Sequence, residues 1–206
     1  MDSETGALKL VKKALELGLR FSISHLAEIE CYLSNKGALY LIETLDFTSK
    51  PCNPDEVCAA IESFDHEDAS VALMKKSLAA GTVYSLNHFV RISGYLSEEC
   101  ALLMMNHIPQ NQLTNSSHKI CAVAQSIDYQ SCCELLIQMA IRNNISFFPE
   151  DIIGMDGYVD ENVLNQMVCT CTVPFTKEQL EQLQYSISDH ILLDAARRSH
   201  VILDEI

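Results

Sequence analysis

Leu10-Val11-Lys12-Lys13-Ala14-Leu15-Glu16-Leu17-Gly18 returns as Leu73-Met74-Lys75-Lys76-Ser77-Leu78-Ala79-Ala80-Gly81, a step of 63 residues. Working outward, residues 8–45 align without a gap on 71–108 and, more faintly, on 134–171. The same step carries Gly18 to Gly81 to Asn144, Phe21 to Tyr84 to Phe147, and Tyr32 to Tyr95 to Tyr158. Self-similarity at a fixed period marks a repeat architecture, whose units bury their apolar faces only against their neighbours.

The 63-residue unit is itself a doublet. Ser34, Asp65, Ser97, Asp128, Asp160 and Ser188 follow one another at spacings of 31, 32, 31, 32 and 28. All are residues whose side chains accept N–H bonds at a helix start, and each precedes an apolar helical pattern. One place before these caps stand Leu33, Phe64, Leu96, Ile127, Val159 and Ile187. Eight places before stand Leu26, Val57, Phe89, Ile120, Ile152 and Leu180, with Ile29, Ala60, Ile92, Val123, Met155 and Leu183 between. Apolar residues three to four apart form one stripe of a helix. A first helix, A, therefore precedes each cap and a second, B, follows it.

The A helices find starts at Ser22 or Ser24, Asn53-Pro54, Ser85, Ser116, Pro149 and Thr176. B helices after Asp65 and Asp128 run to Gly81 and Asn144, residues that tolerate a left-handed C-terminal cap. Those after Ser34 and Ser97 stop near Asp46-Phe47 and at Pro109. Asp65 maps back onto Asp2, so residues 3–17 read as a B helix without its A mate, free to dock elsewhere or in a dimer. Gly154, Asp156 and Gly157 weaken the fifth A helix. At the other end, Asp189, Asp194, Arg197, Arg198, Asp204 and Glu205 give the last helix a polar outer face, as a terminal repeat needs.

The expectation is an all-α fold in a single domain over residues 1–206: a right-handed α-solenoid of about six antiparallel helix hairpins, with a 31–32-residue repeat inside the 63-residue super-repeat. The layout resembles the ankyrin, tetratricopeptide and HEAT-like helical repeats. Leu73 to Thr82 looks like the second helix of an ankyrin unit. The Thr-Pro-Leu-His pattern of that family is absent, however, and with no tryptophan the chain lacks the tetratricopeptide signature. The resemblance implies an architecture and carries over no functional residue.

Hydrophobic residues make up 48% of the chain and charged ones 20%, enough apolar surface for a continuous core. The formal charge of −14 repels phosphate backbones and favours a basic partner, which argues against nucleic acid. No signal-like or membrane-length apolar run stands in the sequence. The nine cysteines are an odd count and read as reduced, so the expected setting is cytoplasmic and not membrane-bound.

Chemical motifs are few. Cys169-Thr-Cys171 and Cys132-Cys133 lack the second ligand pair of a zinc site. Cys132 shares its repeat position with Ala38, Ala69 and Ala101, Cys58 shares one with Cys121, and Cys171 aligns with Leu45 and Ile108, so these thiols read as packing residues. Asp151, Asp156, Asp160 and Glu161 lack the spacing of a calcium loop and read as capping residues. Tyr32, Tyr95 and Tyr158 are expected to pack between repeats with their hydroxyls at the edge. Lys12-Lys13 and Lys75-Lys76 are expected on the exposed side of B helices.

No phosphate loop, dinucleotide fingerprint, nucleophile elbow or zincin motif is present, so the chain is expected not to be an enzyme and to need no cofactor or metal. One polar row stands out nine places before the caps: His25, Glu56, His88, Lys119, Asp151 and Gln179, joined by Glu28 and Arg91 one turn on. It is the candidate partner-binding surface. The expected function is a scaffold or adaptor that binds another protein or peptide, anchored by aromatic or Met contacts. The alternative is a small-molecule or Cys/His enzymatic site in a groove of the repeat.

Overall fold

The computed structural model describes residues 3–47, 51–113 and 116–203. Among these are thirteen α-helices, three 3-10 turns and no strand beyond one isolated bridge between Asp156 and Val159. The chain divides into two compact units, Met1–Pro109 and Gln110–Ile206.

The first unit holds α1 (Ser3–Glu16), α2 (Ile23–Ile29), α3 (Asn35–Thr44), α4 (Pro54–Ser63), α5 (Glu67–Ala79), α6 (Leu86–Ile92) and α7 (Glu98–Asn106). Its helices lie in two rows. The A helices α2, α4 and α6 pack in succession, as do the B helices α1, α3, α5 and α7, and each hairpin closes A on B. The second unit repeats the plan with α8 (Ser117–Gln125), α9 (Gln130–Arg142), α10 (Pro149–Gly154), α11 (Glu161–Thr170), α12 (Lys177–Leu183) and α13 (Asp189–Ser199). There α8, α10 and α12 form one row and α9, α11 and α13 the other.

The residues expected to start and stop these helices do so. Ser22, Asn53, Ser85 and Thr176 cap A helices and Ser34, Ser97 and Asp160 cap B helices, each accepting a backbone N–H from the first turn. Gly18, Gly81 and Asn144, one super-repeat apart, share positive φ values of 84°, 81° and 58°. Two caps are corrected. The long helices α5 and α9 start from His66 and Tyr129, one residue after Asp65 and Asp128, with no side-chain cap bond. The fifth A helix, α10, is only six residues long and ends at Gly154.

Packing follows the sequence rows. Leu26, Val57, Phe89, Ile120, Ile152 and Leu180 are all fully buried. Burial of a side chain of this size stabilises by roughly 1.5–3 kcal/mol, so this single row is a large share of each unit's core. Ala38, Ala69, Ala101 and Cys132 are also fully buried, the small residue letting helices approach closely. Tyr32, Tyr95 and Tyr158 depart from expectation: they are 69%, 53% and 42% exposed. Each lies in the turn between A and B, where the following residue (Leu33, Leu96 or Val159) takes the core position and turns the ring outward.

Candidate functional site

The polar row has a local physical origin. Every member is the third residue of an A helix, counted from the cap at Ser22, Asn53, Ser85, Ser116, Phe148 or Thr176. At that position a side-chain acceptor can return a bond to the cap's own N–H. The Ser22 N–H donates to His25 Nδ1 at 3.1 Å, Ser85 to His88 Nδ1 at 3.0 Å, Thr176 to Gln179 Oε1 at 2.8 Å and Phe148 to Asp151 Oδ2 at 3.2 Å. Capping chemistry thus explains why the row is polar at four of its six places.

In the first unit the row lies along α2, α4 and α6, with His25, Glu28 and Glu56 exposed and His88 half-buried. Arg91 on α6 donates twice to Glu62 on α4, at 2.7 and 2.6 Å, and holds the Glu62 carboxyl below its ordinary range. His88 Nε2 and Arg91 both approach Asp55 at 3.5 Å. Four carboxylates (Glu28, Asp55, Glu56 and Glu62) share this face with one arginine, so it is acidic.

In the second unit Lys119 is exposed, and the Gln179 amide donates to Glu150 at 2.8 Å. Asp151 differs from the rest of the row in being only 6% exposed. Its carboxylate accepts the Ser117 hydroxyl at 2.5 Å and the Phe148 N–H, with His118 Nδ1 at 3.4 Å. These are a serine, a histidine and an aspartate, yet the serine binds the aspartate and the His118 side chain is 88% exposed. Nucleophilic catalysis needs the histidine between the other two. The other acidic side chains of the expected cluster are also committed: Asp160 caps Val163, Asp156 accepts from Ser186 and Glu161 from Ser188.

The first unit holds a groove of about 1070 Å³. Leu10, Val11 and Ala14 of α1 line it together with Phe21, Ile29 and Tyr32, and Asn35, Lys36 and His66 complete its polar lining. Cys31, an exposed thiol, also lines it. Beside it Glu30 is 1% exposed, and its Oε1 accepts the Asp65 N–H at 3.3 Å while Oε2 has no partner. Burial pushes this carboxyl above the ordinary range despite the bond from Asp65. Sequence reasoning missed the groove, because a concavity depends on which neighbour is absent from a helix face. The one signal in the sequence was that α1 aligns with the B helices α5 and α9, while no A helix stands before it among the described residues.

Six of the other thiols are structural in placement. Cys58, Cys100, Cys121, Cys132, Cys133 and Cys171 are buried. Burial raises Cys58 and Cys133 to about 11 and Cys100 and Cys121 to about 12, which keeps them protonated and unreactive. Among the described residues no three His, Cys, Asp or Glu side chains are grouped to hold a metal ion, and no helix is long and apolar enough to cross a membrane. Every methionine among the described residues is buried, so the exposed aromatics are the only large anchors of the two kinds expected. No protein-family model, curated protein or solved structure matches the chain.

Proposed function

We propose that this protein is a non-enzymatic helical-repeat scaffold that binds another protein or peptide, each unit being a stretch of right-handed α-solenoid of ankyrin- or tetratricopeptide-like architecture. The observation that carries this reading is the exposed A row of the first unit. Two successive helices of the same register, α2 and α4, present Glu28, Asp55, Glu56 and Glu62. Stacked helices hold such a surface rigid, so a partner meets a pre-ordered face and the ordering cost of binding falls on the partner alone. Acidity steers a basic protein or peptide toward it. Tyr32 and Tyr95, exposed at the ends of the A helices, supply aromatic contact area. A cytoplasmic setting suits the free thiols.

The test is quantitative affinity purification with the full chain as bait, comparing wild type with Glu28→Lys/Glu56→Lys. Neither residue is buried, so the fold is retained. A partner recovered by wild type and lost by the double variant supports the acidic face. Unchanged recovery of every partner removes that face.

A second reading draws on the groove, where Cys31 and His66 share one lining and the Glu30 carboxylate stands near His66. A thiol and an imidazole in one cavity are the parts of a cysteine-based active site. Alkylation of Cys31 that is faster than that of Cys169, the other exposed thiol, and slowed by His66→Ala would favour it.

A further inference from the structure

We infer that the groove of the first unit is a docking site for an acidic amphipathic helix of a partner protein, seated where an A helix would cover α1. Five α1 residues line it: Gly6, Ala7, Leu10, Val11 and Ala14. One super-repeat on, in α5, the same positions are Ala69, Ser70, Leu73, Met74 and Ser77, none more than 1% exposed. In α9 they are Cys132, Cys133, Leu136, Ile137 and Ala140, again none above 1%. Leu10 is 73% exposed. α5 and α9 each carry an A helix, α4 and α8 respectively, against them; α1 packs on α3 and the 3-10 turn after α2. The lining is thus a repeat-to-repeat contact surface with one side open.

The A row points the same way. α4 has α2 on one side and α6 on the other, whereas α2 has α4 on one side and presents Ile29 to the groove, joined by Phe21 from the segment ahead of its cap. A helix laid there continues the α2–α4–α6 row, so its shape is set: about two turns or more, with an apolar stripe at three-residue spacing. Its charge is set by the rim. Lys36 and His66 line this groove and no carboxylate among the described residues does, the nearest bonded one being Asp68, which accepts from the lining Asn35 at 2.8 Å. Lys9 and Lys13 stand exposed on α1, with Lys13 also 3.4 Å from Glu16. A second copy docking α1 on α1 would oppose these lysines to themselves; an acidic helix pairs with them. The site shares Tyr32 with the acidic A face but none of that face's carboxylates.

The probe is a fluorescein-labelled peptide of the α4 sequence Asn53–Phe64 with Cys58→Ala, stapled on its solvent side to hold the helix. It has the A stripe and three acids, Asp55, Glu56 and Glu62. Anisotropy titration with the full chain should show saturable binding, weakened about tenfold or more by Leu10→Asp (roughly 1.4 kcal/mol), weakened by Lys36→Glu and by added salt, and unchanged by Glu28→Lys/Glu56→Lys. Leu10→Ser serves as the milder variant if circular dichroism shows Leu10→Asp to be unfolded. Absence of binding, or binding indifferent to both Leu10 variants, overturns the inference. So does sedimentation showing a dimer that Leu10→Asp dissociates, or Leu10-dependent binding to anionic phospholipid vesicles in place of the peptide.

Discussion

Ser77 and Tyr84 are both fully buried, and their hydroxyls lie 2.6 Å apart, tying the end of α5 to the segment that enters α6. Ser77 Oγ also donates to the Met74 carbonyl at 2.9 Å, which uses its single proton. Tyr84 must therefore be the donor of the pair. The two truncations are not equivalent. Tyr84→Phe takes away one bond that Ser77 accepts and leaves Ser77's own donation intact, a loss of about 1 kcal/mol. Ser77→Ala strands the phenolic O–H in the core, where an unsatisfied donor costs about 2 kcal/mol. The double variant strands nothing, so it should cost about 1 kcal/mol, against about 3 kcal/mol for the sum of the singles. With urea dependences of about 1–3 kcal/mol per M, the Ser77→Ala midpoint falls by about 1 M and the second substitution restores much of it. The chain has no tryptophan, so the assay is urea unfolding followed by circular dichroism at the helix band. Additivity of the two single variants within about 0.5 kcal/mol would refute the assignment of donor and acceptor.

Three further outcomes follow from the same geometry. Gly81→Ala forces a side chain into a φ of 81° with open space around it, so the cost is conformational alone, roughly 1–2 kcal/mol, while Asn144→Gly at the equivalent site should be neutral or stabilising; thermal melts of both variants check this. A thiol reagent should modify Cys31 and Cys169 quickly in the native protein and reach Cys58, Cys100, Cys121 and Cys133 only with unfolding, and rapid native labelling of any of those four counts against the packing. Glu30's carboxyl is raised in the folded state, so folding favours its protonated form; that stability is present below the unfolded pKa and is lost as pH rises through the folded one. Glu30→Gln keeps an acceptor for the Asp65 N–H, and should therefore raise the neutral-pH unfolding midpoint and flatten its dependence above about pH 4 (the ordinary Glu range).

Capping and periodicity are local properties of a chain, and the helices were accordingly legible to within a residue or two. Ser22, Asn53, Ser85 and Thr176 cap where their residue types and spacing said they would, and the glycine-to-asparagine series at 18, 81 and 144 adopts one backbone conformation. The candidate site was less legible. His25, His88 and Gln179 are polar because each returns a bond to its own helix cap, a reason that lies within three residues and says nothing of a partner. The same row hides Asp151, whose burial depends on Ser117 arriving from another helix.

What the sequence determined alone was the number, order and register of the helices, since these follow from side-chain chemistry over three- to four-residue distances. Only the tertiary structure decided which faces stay open. Leu10 and Leu73 are identical residues one super-repeat apart, yet one is 73% exposed and the other fully buried. Exposure is a property of the neighbours a residue is given, and those neighbours come from helices that lie far along the chain.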